Sequence, residues 1–191
     1  MLLNLPHSCL LIVDVQEKLT PLVLNHENVV KNCQWLMHLA HKLQVPIHLT
    51  EQYPKGLGRT VGSLLSAASD AVYSSKLFFS CASDNECLEN LNNTGCQDIL
   101  IAGIETHVCI MQTALELQSL GKNVFVVVDA VSARHEIDHR YGLKRMKAAG
   151  VTLMTHEMVF FEWLRRAGTE KFKYLSQEFL TSNTNKSEKT A

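Results

Sequence analysis

Residues 99–109 read Ile99-Leu100-Ile101-Ala102-Gly103-Ile104-Glu105-Thr106-His107-Val108-Cys109. The first four leave no polar face, so they predict a strand buried on both sides. Thr106 to Leu120 then reads as a helix closed by Gly121, a favoured helix-ending residue. Between them lies a strand-to-helix turn, with Cys109 in the first turn of the helix. Free backbone N–H groups and the positive end of the helix dipole meet there and favour anions. A thiol so placed tends toward thiolate, the nucleophilic form, and the same N–H groups can hold an oxyanion. The plain alternative is a buried cysteine acting as a small apolar residue.

The same alternation runs outward in both directions. Leu10–Val13, Pro46–Leu49, Ala71–Tyr73 (the weakest), Val124–Val128 and Val151–Met154 predict further strands. Asn28–Leu43, Asp84–Asn92, His139–Ala149, Met158–Arg166 and Glu170–Leu180 predict helices, and a Gly-punctuated loop spans Glu51 to Gly62. Strands apolar on both faces, alternating with helices, predict an α/β fold: a six-stranded, mostly parallel sheet covered on each side. The 191 residues fit one domain over residues 1–180, with a polar, disordered tail at 181–191.

Eighteen basic and nineteen acidic residues give a net charge of −1, which argues against DNA, RNA or an anionic membrane as partner. No segment is long and apolar enough to cross a bilayer. The chain before Cys9 holds no Lys or Arg, so the charged start of a secretory signal is missing. The six cysteines lack CxxC pairs or His/Cys ligand spacing, which predicts reduced thiols in the cytoplasm and no zinc site.

In such sheets ligands bind beyond the carboxyl ends of the strands. The residues just past them are Asp14, Glu51, Lys76, the Gly103–Cys109 turn and Asp129. Asp14 closes a wholly apolar strand, a costly place for an unpaired carboxylate. It reads either as a general base for the Cys109 thiol or as a helix cap. Lys76 reads either as the cation that stabilises both anions or as a surface lysine lying over apolar neighbours. His107 is two residues from Cys109, and such positions do not face each other on a helix, which disfavours it as the base. Glu105 is a binding carboxylate or a favourable charge near a helix start, and Glu116 a solvated face.

Five stretches together resemble the isochorismatase-like cysteine hydrolases, closest to the isochorismatase domain-containing proteins. They are Leu11-Ile12-Val13-Asp14-Val15-Gln16, Thr50-Glu51-Gln52-Tyr53-Pro54-Lys55-Gly56-Leu57-Gly58, Ser75-Lys76-Leu77-Phe78-Phe79-Ser80, residues 103–109, and Asp129-Ala130-Val131-Ser132-Ala133-Arg134. The resemblance covers about residues 8–180. It implies a Rossmann-like sheet of order 3-2-1-4-5-6 and a catalytic triad at Asp14, Lys76 and Cys109. It also implies a cis peptide at Ile104–Glu105 that aims the N–H groups of Glu105 and Cys109 at an oxyanion. Nicotinamidases of the family carry an Asp/His metal cluster after the second strand. Here that place is Glu51-Gln52-Tyr53-Pro54, so no metal and no cofactor is expected.

The implied reaction is cleavage of a small-molecule amide through a thioester. The rivals are a vinyl-ether hydrolase using Asp14 as proton donor and a catalytically idle, oligomeric binding module. Gln16, Tyr53, Leu77, Phe79 and His107 are the candidate substrate contacts. A homo-oligomer follows from the resemblance, with Met158, Val159, Phe160, Phe161 and Leu164 near Trp163 as an apolar surface for it.

Overall fold

The computed structural model of the chain describes residues 1–67 and 70–181. Six strands are β1 (Ser8–Val13), β2 (Ile47–Gln52), β3 (Val72–Lys76), β4 (Asp98–Ile104), β5 (Asn123–Ser132) and β6 (Thr152–Met154). They form one sheet of order β3-β2-β1-β4-β5-β6 in which every neighbouring pair is parallel. The helices are α1 (His26–Leu43), α2 (Pro54–Leu57), α3 (Gly62–Leu65), α4 (Asn85–Asn93), α5 (Met111–Ser119), α6 (Glu136–Ala148), α7 (His156–Leu164) and α8 (Glu170–Phe179).

The alternating side chains of β1 divide the interior in two. Leu10 and Ile12 join the apolar faces of α1, α7 and α8. Cys9, Leu11 and Val13 join those of α4, α5 and α6 on the opposite side. Because β1 is buried on both faces, the two half-cores share it as a common wall. All six cysteines are free and buried.

Several elements differ from the sequence-based expectation. β2 runs on through Glu51 and Gln52, and β3 runs to Lys76, so Lys76 is the last residue of its strand. The expected loop holds the single turn α2, started by Pro54 at a position where its fixed φ suits a helix, and the single turn α3 begins where the loop ends, at Gly62. β5 is longer than predicted because its register against β4 jumps from Ile101–Val126 to Gly103–Val131. Asp129 therefore stands in that irregularity, where its carboxylate bonds His156, and not beyond the strand. Thr181 bonds back to the carbonyls of Ser176 and Gln177; the rest of the predicted tail lies outside the described residues.

The Ile104–Glu105 bond is not cis, and no cis bond occurs among the described residues. The chain is turned there by the backbone of Glu105 itself, at φ 61° and ψ 62°. The helix that follows opens as a π-turn over Thr106–Ile110 before α5 begins. Such π segments are local widenings of a helix that recur at functional sites.

Candidate active site

Three consecutive strand ends in the middle of the sheet turn through left-handed backbone on residues other than glycine. They are Asp14 after β1 (φ 54°), Tyr53 after β2 (φ 39°) and Glu105 after β4 (φ 61°). This region is costly for L-residues, and its use by non-glycines clusters at functional sites. β1 and β4 come together closely here. A Cβ on Gly103 would stand 2.2 Å from the Val13 carbonyl oxygen, so only glycine fits.

Asp14 is fully buried, and its burial is compensated. Its Oδ1 accepts from Thr50 Oγ1 at 2.8 Å and its Oδ2 from Lys76 Nζ at 2.7 Å. The register explains both contacts, since Val13 pairs with Thr50 across β1 and β2, and Gln52 pairs with Lys76 across β2 and β3. Lys76 is among the largest fully buried side chains of the protein. Its ammonium donates to Asp14, to Gln52 Oε1 at 2.7 Å and to the Phe79 carbonyl at 3.1 Å. An ammonium has three protons, and here each has an acceptor.

Cys109, in the π-turn, is buried against this pair, close enough for the charges of Asp14 and Lys76 both to act on its thiol. The expectation of a thiolate is corrected by its surroundings. Burial pushes the thiol up, the Asp14 charge pushes it further, Glu105 adds to this, and Lys76 only partly opposes them. These surroundings favour the neutral thiol over the thiolate. Desolvation here outweighs the favourable helix end.

The turn is braced from behind. The Glu105 carbonyl accepts from Val108 N at 2.9 Å and from Ile110 N at 3.3 Å. Thr106 Oγ1 lies 2.9 Å from His139 Nδ1 of α6, and Gly142 of the same helix sits against His107. Glu105 Oε1 pairs with Arg134 Nε at 2.8 Å, while its Oε2 lies 3.6 Å from His107 Nδ1. His107 faces this carboxylate and Asp138, away from the role of base to Cys109.

The structure thus brings Asp14, Lys76 and Cys109 together, and separates the predicted substrate contacts into two kinds. Tyr53, Leu77 and Phe79 are exposed, and Tyr53 and Leu77 share a cavity of about 370 Å³ with Lys55, Phe78 and Asp84. Gln16 is wholly buried, its amide spent on the backbone of Gln52 and on the Gly58 carbonyl. Glu51 is occupied by Thr60 N and Oγ1. Thr50 and Gln52 stand in the sequence only as members of the 50–58 stretch; their roles come from the register between neighbouring strands, which residue types alone do not reveal. Among the described residues no group of three His, Cys, Asp or Glu is gathered as metal ligands.

An all-parallel 3-2-1-4-5-6 sheet with this strand-end cluster is the architecture of an isochorismatase-type hydrolase fold. The isochorismatase domain family matches residues 8–158, and the chain belongs to that family. The mouse isochorismatase domain-containing protein 2A is 38% identical over 174 residues, spanning 91% of this chain and 83% of its own. The structure of MAR1 ribonuclease from Caenorhabditis elegans superposes with a TM-score of 0.88 at 34% identity, covering 95% of this chain and 94% of that one. YcaC from Escherichia coli, described as an octameric hydrolase of unknown specificity, gives 0.84 at 27% identity over 95% and 98% of the two chains. YcaC from Pseudomonas aeruginosa, solved with hexane-2,5-diol and covalent acrylamide, gives 0.88 at 26% identity over 96% and 94%.

Proposed function

We propose that the protein is a cysteine hydrolase that cleaves the C–N bond of a small amide. The observation that carries the reading is the Cys109 thiol buried beside an Asp14 carboxylate that Lys76 and Thr50 already hold. A neutral thiol is a poor nucleophile, so its proton must leave as sulfur attacks. Asp14 takes that proton while Sγ bonds the carbonyl carbon. The N–H groups of Glu105 and Cys109 receive the oxyanion. The C–N bond then breaks, Asp14 returns the proton to the departing nitrogen, and a thioester remains. Water attacks the thioester with Asp14 as base, which releases the acid and restores the thiol. Lys76 keeps Asp14 oriented through these steps and has no proton to spare for substrate.

The covalent acrylamide of the Pseudomonas YcaC supports covalent chemistry in this fold. RNA, which the name of the worm relative brings in, is disfavoured by a net charge of −1. The proposal includes no metal or cofactor, a cytoplasmic setting and a homo-oligomer. The octameric relative supports the last point, as do Met158 and Phe161 of α7 and Leu77, Phe78 and Phe79 beside the site, all exposed, whereas Val159 and Phe160, expected on the same surface, are buried in the protein's own core. Among the described residues no helix is long and apolar enough to cross a membrane.

The test is amine or ammonia release from a panel of small amides by the wild type and by Cys109→Ala. The expected result is turnover by the wild type alone. Equal turnover by both proteins would refute the covalent route, and survival of vinyl-ether cleavage in Cys109→Ala would favour the rival that uses Asp14 as proton donor.

A further inference from the structure

We propose that Gln52 is a positioning residue, which aims the buried Lys76 ammonium at Asp14; the proposal rests on the cysteine-hydrolase reading above. Gln52 and Lys76 are direct partners in the β2–β3 register, so their side chains leave the sheet on the same face. Gln52 Oε1 accepts from Lys76 Nζ at 2.7 Å, as short as the contact between that ammonium and Asp14. The other half of the amide donates from Nε2 to the Leu77 carbonyl at 2.9 Å. Turning the amide over would set N–H against ammonium and oxygen against carbonyl, so only one orientation is stable.

The backbone of Gln52 is gripped as firmly as its side chain. Gln16 Oε1 accepts from Gln52 N at 2.7 Å, and Gln16 Nε2 donates to Gln52 O at 3.0 Å and to the Gly58 carbonyl at 2.7 Å. A buried glutamine thus reads the end of β2 much as a neighbouring strand would. The sequence of supports runs from Gln16 to Gln52 to Lys76 to Asp14. Gln52 is suited to the third acceptor position because it is neutral. It satisfies an ammonium proton by a dipole and leaves Asp14 as the one carboxylate in contact with Lys76. A carboxylate at residue 52 would compete for the same cation and add a further negative charge near the Cys109 sulfur, beyond those of Asp14 and Glu105.

Iodoacetamide alkylation of Cys109, followed by peptide mass spectrometry at one pH below the thiol's midpoint, tests the proposal. Gln52→Glu is expected to slow alkylation about tenfold, the effect of raising the thiol by about one unit. Gln52→Met, of similar length but without an acceptor, is expected to slow it about threefold, as Lys76 loses its fixed direction. A purely structural role predicts the reverse, because loosening the packing exposes a buried thiol and speeds alkylation. Folding of each variant is checked by circular dichroism, and if Gln52→Glu does not fold, Gln52→Met alone decides. A folded variant whose Cys109 reacts as fast as the wild type, or faster, overturns the assignment of Gln52. Failure of the underlying reading looks different: amide turnover would then survive in Cys109→Ala, whatever stands at residue 52.

Discussion

Lys76 and Asp14 form an ion pair of 2.7 Å with both side chains fully buried, and breaking it from either side has a calculable cost. Lys76→Met keeps the volume of the stem but leaves a carboxylate without its cation, and strips the Gln52 and Phe79 oxygens of a donor. Removing one partner of a buried pair costs about 3–5 kcal/mol, most of it the penalty for the stranded charge. With a urea slope of about 2 kcal/mol/M, the unfolding midpoint should fall by about 2 M. Asp14→Asn strands the ammonium instead and should cost a similar amount. The double variant, Asp14→Asn with Lys76→Met, removes both charges and keeps the shape, so it should be more stable than either single variant. Equilibrium urea unfolding by fluorescence and circular dichroism at neutral pH, analysed as a double-mutant cycle, gives the answer. Costs that add to within about 0.5 kcal/mol would refute the reasoning, since independent sites add and a coupled pair does not.

Burial holds the His48 imidazole down at about 4, while Nε2 lies 2.9 Å from Ser74 Oγ. Between pH ~6.5 and ~4 the unfolded chain binds a proton that the native state refuses, so stability should fall by about 3 kcal/mol as pH drops through that window. Thermal melts of wild type and His48→Gln across it should show a flatter dependence in the variant. Gly103→Ala would press a methyl into the Val13 carbonyl at φ 133°, and a loss of more than about 3 kcal/mol, or no soluble protein, is expected. Replacing Leu77, Phe78 and Phe79 by Ser should shift the species seen by size-exclusion chromatography with light scattering toward the 21.4 kDa monomer if this apolar rim is an oligomer surface. An unchanged mass would exclude it.

Much of the architecture is legible in the sequence because buried parallel strands declare themselves as unbroken apolar runs. Ile99–Ala102 and Leu10–Val13 are of this kind, and a carboxylate closing the second run, like a cysteine after the first, stands out against them. β3 is less visible because it is an edge strand. Val72 and Tyr73 are exposed, Ser74 is buried, and its end is a lysine that no hydropathy pattern would place inside. The roles of Thr50 and Gln52 are hidden for a related reason, since their partners are set by register between strands distant in sequence; Gln16, expected to touch substrate, instead bonds the backbone at the end of β2. The state of the Cys109 thiol is not legible locally, because position at the helix start favours the anion, whereas burial and the Asp14 charge favour the neutral form. The expected cis bond was likewise unnecessary, because left-handed backbone at Glu105 redirects the chain unaided.

The left-handed corners at Asp14, Tyr53 and Glu105 differ in how much stability they hold back. Each holds an L-residue where glycine would sit with about 1 kcal/mol less strain, so glycine at Tyr53 is a candidate for a higher melting temperature. At Asp14 the same exchange would remove the carboxylate on which the proposed chemistry turns. There the relief of about 1 kcal/mol would be outweighed by the stranded Lys76 ammonium, at about 3–5 kcal/mol, so selection for heat resistance alone would keep the carboxylate and the proposed chemistry with it.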